Sequence, residues 1–592
     1  MRRYLAALAP GAMLPDEARE QCKWAAAAHG LLPSLSVERG EISSTGIGVA
    51  PIGCTGLILG QFHRRKADSR EYCLTPCEAE QVASTGGAEL TRLGWGSYVA
   101  LTIGRARTGI VRSPFGNLPA LYCQREDVVF LASDLELLGS CGLDTHSISW
   151  AELARHLVAG DIRREQTCLA GILDLQGGRR LTIGRTGVRN EQVWSPRPDP
   201  QIFGVTVQDF ATSVRAAVES SVAAIASSAR KSLLMLSGGL DSSILAAALR
   251  RADRPLVALN LVTAEASGDE RHYARMVAQS LGIELVEVER AIENVDVAKS
   301  DAAGLARPAT RSFLQDTRKI IEQVRIGSGA DLIIEGGGGD NVFCSLQSVA
   351  PVANLIRVRA SFARVVASAR DIAALTDSTF ATVLRRAYIR AWWRRSGYRA
   401  ARDHTFLTSD ATAAAQGATE HPWLRTAETQ NPGWSAYMAL LIAAQGWVEG
   451  FEPMREPATE CPLLAQPVIE ACCAVPSWLW FSGGQNRVVA REAFRDSLPA
   501  AVIDRRSKAT PDSFVTRLFE HNKPQIRELL CDGLLSSAGL IDRDLIDRCI
   551  RSSGPQRDHD HRRLMRLLDA EAWAQARTAV RSDANAPNGG TG

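Results

Sequence analysis

Short apolar runs alternate with segments of helical periodicity in the middle of the chain. Apolar runs occupy residues 231–236, 255–262, 283–288 and 331–335. Such runs are typical of strands that are buried on both faces. Between them, residues 240–249 and 269–281 repeat apolar side chains at helical spacing. Alternating strands and helices predict an α/β fold, with a parallel sheet that binds ligands at the carboxyl ends of its strands.

The first 190 or so residues follow a different pattern. Short alternating or apolar runs lie at 97–103, 109–111 and 128–132, separated by turn residues. This pattern predicts a β-rich domain. A proline-rich linker at 194–200 then precedes a helix that we expect Thr206 to cap. We therefore predict one domain at 1–200, a second at 205–580 and a disordered polar tail at 581–592.

Composition narrows the class of protein. The chain has 592 residues, of which 45% are hydrophobic and 22% charged, as in ordinary globular proteins of two or three domains. A net charge of +3 gives no reason to expect nucleic acid or a membrane as a partner. The 13 cysteines are scattered, which favours free thiols in a reducing compartment. Pro10 and Gly11 interrupt the first apolar run, so we expect a cytoplasmic protein.

Arginine and tryptophan are interleaved within residues 350–450. Cations beside aromatic rings can bind nucleic acid through phosphates and stacking. The same pattern is typical of a helix whose aromatic side chains pack inward while its arginines are solvated, and the small net charge favours that interpretation. Binding of an acidic or extended peptide is a third interpretation.

The segment Ser237-Gly-Gly-Leu-Asp-Ser242 joins a predicted strand to a predicted helix. The first turn of a helix attracts anions, glycine lets backbone approach a phosphate, and serine adds hydroxyl donors. A carboxylate at Asp241 would repel a bare phosphate, so we expect Mg²⁺ between the two. An ordinary strand-to-helix turn is the alternative interpretation. The residues that we predict to bind a nucleotide here are Leu236, Ser237, Gly238, Gly239, Asp241 and Ser242.

A second glycine-rich turn follows the strand at 331–335. Four glycines, Gly336 to Gly339, precede Asp340, which brings another carboxylate to the same edge of the sheet. A glycine run by itself is also compatible with a flexible loop. We predict that Val262, Gly336 and Gly337 form a wall of the nucleotide site, and that Asp340 is the second Mg²⁺ ligand.

The Ser-Gly-Gly-Leu-Asp-Ser motif resembles the pyrophosphate loop of ATP pyrophosphatases, which activate a carboxylate or carbonyl as an AMP adduct. Earlier, Arg112-Ser-Pro-Phe-Gly116 and Leu131-Ala-Ser-Asp134 are similar to the glutaminase domain of asparagine synthetases. The resemblance implies a class II glutaminase-like, Ntn-type first domain. It also implies a HUP-like second domain with a helical C-terminal part, and ATP and Mg²⁺ as cofactors.

The chain departs from asparagine synthetases in three places. Their glutaminases use an N-terminal cysteine, whereas this chain begins Met-Arg-Arg-Tyr, so we expect an inactive domain that serves as a scaffold or docks a partner. Gly337 and Asn341 replace two glutamates of the family's glycine turn. The third departure, at 461–470, is more similar to lasso-peptide cyclases than to amino-acid enzymes.

The segment Arg505-Arg-Ser-Lys508 resembles the closing arginine-x-lysine signature of the family. Only seven of the 68 basic residues are lysines. A compact ammonium suits a phosphoryl or tetrahedral centre in a small space, so Lys508 is predicted to be catalytic together with Asp241 and Asp340. Chance placement of Lys508 on the surface is the alternative.

The resemblance implies an ATP-dependent amide ligase, most similar to the macrolactam cyclases of lasso-peptide pathways. An Asp or Glu side chain of a ribosomal core peptide would be adenylated and then attacked by the N-terminal amine of the peptide. The expected partners are that precursor peptide, a leader-peptide-binding protein and a cysteine protease. The alternatives are a small-molecule ligase of the asparagine-synthetase or β-lactam-synthetase type and a non-catalytic nucleotide-binding scaffold.

Overall fold

A computed structural model gives the fold of most of the chain. The residues that it describes are 2–10, 13–46, 48–65, 74–160, 162–198, 205–263, 269–309, 314–392, 402–416, 421–425, 431–450, 459–506, 512–552 and 558–584.

The N-terminal part contains fourteen strands and five helices within the described residues. Its strands are β1 (Tyr4–Leu8), β2 (Leu32–Val37), β3 (Gly40–Ser44), β4 (Val49–Ile52), β5 (Gly56–Gly60), β6 (His63–Arg64), β7 (Gly94–Trp95), β8 (Tyr98–Ile103), β9 (Arg107–Arg112), β10 (Leu121–Arg125), β11 (Val128–Ala132), β12 (Leu173–Asp174), β13 (Arg179–Gly184) and β14 (Gly187–Gln192). Its helices are α1 (Asp16–Ala28), α2 (Pro76–Ser84), α3 (Leu90–Leu93), α4 (Leu135–Ser140) and α5 (Trp150–Ala159).

Two antiparallel six-stranded sheets stack in this part, in the orders β12-β10-β11-β1-β3-β2 and β14-β13-β9-β8-β5-β4. Apart from Thr102, the sequence of strand β8 is apolar, because both faces of the strand are buried. Val99, Leu101 and Ile103 enter the core between the two sheets. Tyr98 and Ala100 point the other way and pack under α2 and α3. The β-rich first domain is therefore confirmed, because strands covered on both faces have no need of polar positions.

The second part begins after the linker and contains the remaining elements. Its strands are β15 (Ser232–Met235), β16 (Leu256–Val262), β17 (Glu284–Glu289), β18 (Leu332–Ile334), β19 (Thr459–Glu460), β20 (Phe481–Ser482) and β21 (Gln485–Asn486). Its helices are α6 (Val207–Ala226), α7 (Leu240–Arg251), α8 (Arg271–Leu281), α9 (Leu314–Ser328), α10 (Gly339–Val342), α11 (Ala350–Arg357), α12 (Phe362–Leu375), α13 (Phe380–Trp392), α14 (Ser409–Ala414), α15 (Pro432–Val448), α16 (Gln466–Cys473), α17 (Val488–Ala493), α18 (Ala500–Ile503), α19 (Asp512–His521), α20 (Lys523–Asp532), α21 (Leu534–Ser537), α22 (Arg543–Arg551) and α23 (Asp558–Ala584).

Five strands form the predicted parallel sheet, in the order β17-β16-β15-β18-β19. Adjacent strands pair in parallel throughout. Thr206 caps α6 as predicted, in a reciprocal capping box with Asp209. Strand β15 lies at the centre of the sheet, so the loop after it opens at the middle of the carboxyl edge. That position is the usual ligand site of an open α/β sheet.

The C-terminal helices pack against the N-terminal domain rather than against the parallel sheet. Phe514 of α19 and Trp573 of α23 belong to the same buried cluster as Leu5 of β1 and Leu157 of α5. Buried ion pairs join the two parts as well, including Arg112 to Glu449 at 3.1 Å. The two domains therefore share a core.

None of the helices within the described ranges has the length and apolar character that crossing a bilayer requires.

Candidate active site

The loop between β15 and α7 has the backbone shape of an anion-binding turn. Gly238 has φ +75°, in the left-handed region that favours glycine. A Cβ on Gly238 would also lie 2.5 Å from the backbone nitrogen of Ala274. Gly239 is the extended N-cap of α7. The first N–H groups of α7 therefore face the carboxyl edge of the sheet, where an anion gains from the helix dipole.

Two hydroxyl groups line the same turn. The Oγ atoms of Ser237 and Ser242 lie 3.1 Å apart, and the N–H of Gly239 donates to the Ser237 oxygen. Ser237 is exposed, whereas Ser243 is buried and donates to the Gly239 carbonyl at 2.8 Å. The hydroxyls of Ser237 and Ser242 can thus donate to a phosphate, and that of Ser243 braces the turn.

The structure brings Asp241 and Asp340 together, as predicted from their positions after neighbouring strands. Nη1 of Arg487 donates to Oδ1 of Asp241 at 3.1 Å and to Oδ1 of Asp340 at 2.6 Å. Gly339 makes this approach possible, because a Cβ there would lie 2.5 Å from Cγ of Asp241. Both carboxylates therefore converge on one point beside the loop.

Arg487 is a site residue that the sequence did not identify. It is the N-cap of α17 with φ +57°, and only 9% of the residue is exposed. Its neighbour Arg491 donates to the Asn486 carbonyl at 3.0 Å, and burial, then the charge of Arg487, lowers the pKa of Arg491 to about 10. In the sequence, Arg487 is distinguished only by its place upstream of the Arg505-Arg-Ser-Lys508 segment that resembles the closing signature of the family.

A second cation, for which the sequence predicted no role at the loop, lies on its other side. The guanidinium of Arg505 lies 3.9 Å over the ring of Tyr273 and pairs with Glu270 at 2.8 Å. It also donates to the carbonyl of Gly238 at 3.4 Å. Arg505 thus fixes the loop from outside through stacking and a charge-assisted bond.

The glycine turn after β18 packs closely against the phosphate loop. A Cβ on Gly336 would lie 3.1 Å from the backbone nitrogen of Ser242, at the start of α7. A Cβ on Gly337 would overlap the indole ring of Trp447. The position at which asparagine synthetases carry a glutamate is therefore covered here by a tryptophan from α15. Asn341, at the second such position, donates to the Leu440 carbonyl at 2.8 Å.

Leu236 and Val262 contribute backbone rather than side-chain groups at this edge. The N–H of Leu236 donates to the Leu259 carbonyl, and its own carbonyl accepts from the side-chain amide of Asn260 at 2.8 Å. The Val262 carbonyl accepts from the N–H of Arg290 at 3.0 Å. Leu236 and Val262 both lie at strand ends beside the loop.

The predicted catalytic residue Lys508 lies outside the described residues.

The donor set fits Mg²⁺ as a partner of bound phosphates. Among the described residues, no cluster of three or more histidine, cysteine or acidic side chains could hold a metal unaided. Mg²⁺ commonly binds one or two carboxylates and takes its other ligands from phosphates and water. Asp241 and Asp340 supply those two carboxylates, next to a turn shaped for phosphate.

A strand-loop-helix phosphate site with paired carboxylates defines the class as a nucleotide-dependent α/β enzyme. The family model for asparagine synthase matches residues 213–575, and the chain belongs to that family. It is accordingly an ATP-dependent carbon–nitrogen ligase that forms AMP. A search of curated proteins finds no match.

Two solved structures also align with the chain. Glutamine phosphoribosylpyrophosphate amidotransferase from B. subtilis, complexed with ADP and GMP, is 10% identical over 56% of this chain and 90% of its own. An allosteric regulatory enzyme of purine biosynthesis is 11% identical over 56% and 89%. Both have a TM-score of 0.23, which is too low to support an inference about fold or function.

Proposed function

We propose that the protein closes a macrolactam ring in a ribosomally made peptide of the lasso type. A carboxylate oxygen of an Asp or Glu side chain in the peptide attacks the α-phosphorus of ATP, and pyrophosphate leaves. The N-terminal amine of the peptide then attacks the acyl carbon, loses a proton and displaces AMP. The product is an amide that is lighter than the linear peptide by one water.

The observation that carries this proposal is the packing of Trp447 over Gly337. A glutamate between the glycines is the family feature associated with ammonia and a small amino acid. In this chain no side chain fits there, because the indole occupies the space. An apolar aromatic wall suits a peptide, since aromatic surface binds peptide side chains and excludes water from the reacting groups.

The residues of the loop have distinct roles in this reaction. Asp241 and Asp340 would hold Mg²⁺, which would neutralise charge on the phosphates. The guanidinium of Arg487, which contacts both carboxylates in the structure, would then be released from them and could donate to the departing pyrophosphate. Ser237, Ser242 and the first N–H groups of α7 receive the remaining phosphate oxygens. We assign Lys508 to the oxyanion or the AMP leaving group.

The N-terminal domain acts as a scaffold in this proposal and releases no ammonia. Cys22, the first cysteine of the chain, is buried in α1, and burial raises the pKa of its thiol well above the ordinary value. A thiol in that state is a poor nucleophile. The amine therefore comes from the substrate itself, and tethering it to the acyl group can contribute about 7 to 11 kcal/mol through effective molarity.

The proposal also includes partners and a location. A peptide substrate of this kind is made with a leader, so a leader-peptide-binding protein and a cysteine protease are the partners that we expect. The described cysteines are all free thiols, which agrees with a reducing compartment, and we propose that the reaction takes place in the cytoplasm.

The test is to incubate the purified protein with ATP, Mg²⁺ and a leaderless core peptide that has a free N-terminal amine and an internal acidic residue. We expect AMP and a peptide lighter by one water. The N-acetylated peptide is the matched control and should give no ring. Formation of asparagine or another free small amide, or a scaffold that binds ATP without exchanging labelled pyrophosphate, would contradict the proposal.

A further inference from the structure

A cavity of about 230 Å³ lies between the two domains, next to the glycine turn. Its walls come from α5 and the segment after it, from the end of α15 and from α23. The charged and aromatic residues that line it are His156, Arg163, Trp447, Arg563, Arg566 and Asp569. No element of the phosphate loop contributes to it, so it is distinct from the nucleotide site.

The charges of the cavity wall are built into the interior of the protein. Arg563 is 3% exposed and donates to the carbonyls of Leu157 at 2.9 Å and Asp403 at 3.1 Å. Arg163 pairs with Glu449 at 3.7 Å. These two guanidinium groups are held in place by partners and cannot swing into solvent.

Arg566 differs from the other two arginines. It is exposed at the mouth of the cavity, one helical turn after Arg563 on α23. Within the described part of the chain, its side chain forms no hydrogen bond and no ion pair. Among the described residues that line the cavity, the guanidinium groups of Arg163, Arg563 and Arg566 accompany one carboxylate, that of Asp569. Glu449 pairs with Arg163 and Asp403 with Arg563, so Arg566 is the lining cation that remains available to a ligand. An anion at the mouth would give Arg566 the partner that it lacks.

A buried histidine also lies in the wall of the cavity. His156 lies in the wall, and burial, followed by the charges of Arg307 and Arg163, lowers its pKa to about 3. A neutral histidine adds no positive charge, but it can accept a hydrogen bond or pack against an apolar stem. The attraction of an anion to this cavity therefore comes from the arginines and not from His156.

The size of the cavity limits the ligand. At about 30 Å³ for each water in the liquid, the cavity has room for roughly seven water molecules. That space suits one acidic side chain or one chain terminus, and it is smaller than the pockets of about 300–1,000 Å³ that hold drug-sized ligands. Trp447 separates the cavity from Gly337, so a group held there lies beside the nucleotide wall rather than in it.

We propose that this cavity anchors a carboxylate of the substrate other than the one that is adenylated, with Arg566 as the residue that binds it. The inference deepens the proposed function and rests on it for the identity of the substrate. The carboxylate comes from a second acidic side chain or from the C-terminus of the peptide. Held at the cavity, it would orient the peptide across Trp447 toward the nucleotide.

The experiment measures binding to the full chain without ATP, so that it is independent of catalysis. The probes are acetyl-Gly-Glu-Gly-amide for a side-chain carboxylate, acetyl-Gly-Gly-Gly with a free C-terminus for a terminal one, and acetyl-Gly-Gln-Gly-amide as the neutral reference. We expect one anionic probe to bind about tenfold more tightly than the neutral one, as a charge-assisted bond implies.

The Arg566→Gln variant should remove that preference. Arg562, which is exposed on the same helix and does not line the cavity, provides the matched control, and Arg562→Gln should retain the preference. Equal binding of all three probes would overturn the inference. So would a preference that survives Arg566→Gln, or one that Arg562→Gln removes equally. Loss of AMP formation with an intact binding preference would instead count against the proposed function.

Discussion

Replacing Arg487 with methionine tests the carboxylate site most directly, because it removes a cation that contacts both aspartates. The side chains of Arg487 and Asp241 are each 11% exposed, whereas that of Asp340 is 37% exposed. Removing one partner of a buried pair costs about 3 to 5 kcal/mol, since the other charge is left buried. The contact with Asp340 is screened by solvent and adds about 0.5 kcal/mol at most.

We therefore expect Arg487→Met to lose about 3 kcal/mol of unfolding free energy at neutral pH without Mg²⁺, at the lower end of the range for a buried pair. Millimolar Mg²⁺ should recover part of that loss, because the metal replaces the guanidinium between the carboxylates. Urea unfolding followed by tryptophan fluorescence, with EDTA or with Mg²⁺, measures both quantities.

Arg495→Met is the matched control for this measurement. Arg495 is 49% exposed and pairs with Glu492 at 2.8 Å on the surface. Its loss should cost about 0.5 kcal/mol or less, with or without Mg²⁺. A loss below about 1 kcal/mol in Arg487→Met, or a loss that Mg²⁺ leaves unchanged, would refute the idea that Arg487 compensates the buried charge of Asp241 in the place of a metal.

Three further predictions concern the metal ligands, the glycine turn and acid stability. Asp241→Asn and Asp340→Asn should each lower the rate of pyrophosphate release by about a hundredfold or more, because the neutral amide holds Mg²⁺ weakly; near-normal release would remove that residue from the site. Gly337→Ala should lower the free energy of unfolding, because the added methyl group overlaps Trp447. Adding Trp447→Gly should relieve that penalty, so a double-mutant cycle in which the two changes in free energy are additive would argue against direct packing. Burial, then the charge of Arg179, lowers the pKa of His421 to about 3. The unfolded chain therefore binds the extra proton first, and the contribution of His421 to stability should be lost as the pH drops below about 6.5, adding a slope that approaches 1.4 kcal/mol per unit. The slope should be shallower in His421→Gln, and equal slopes in a comparison of urea midpoints would contradict the assignment.

The sequence was sufficient to predict that Asp241 and Asp340 share an edge of the sheet. Each follows an apolar run long enough to be a buried strand, and parallel strands bring their carboxyl ends to one side. The glycines beside them were equally informative, because a position without a Cβ marks close approach of two segments. Gly336 and Gly339 meet Ser242 and Asp241 for that reason.

The contribution of Arg487 could not be predicted in the same way. It follows β21, a two-residue strand that has no periodicity, and its left-handed conformation turns the chain toward the carboxylates. The position of Trp447 at the glycine turn could not be predicted for a different reason. Helix α15 is apolar on nearly all sides, so its residue pattern does not indicate which face meets the glycine turn.

The packing of the C-terminal helices on the N-terminal domain could not be predicted from the sequence either. Amphipathic periodicity shows that α19 and α23 bury one face, but it does not identify the surface that receives it. Only the three-dimensional structure joins Phe514 and Trp573 to a cluster that begins in β1. Our division at residues 200 and 205 thus describes the connectivity of the chain and not its cores.

That shared core bears on how such a protein can change over generations. The N-terminal domain supplies one wall for the last helices of the ligase, so deleting it would leave side chains such as Phe514 and Trp573 facing water. A substitution that inactivates a catalytic residue of the first domain leaves this wall intact, whereas deletion of the domain removes it. Retention of the first 200 residues therefore needs no enzymatic explanation, because the ligase folds against them.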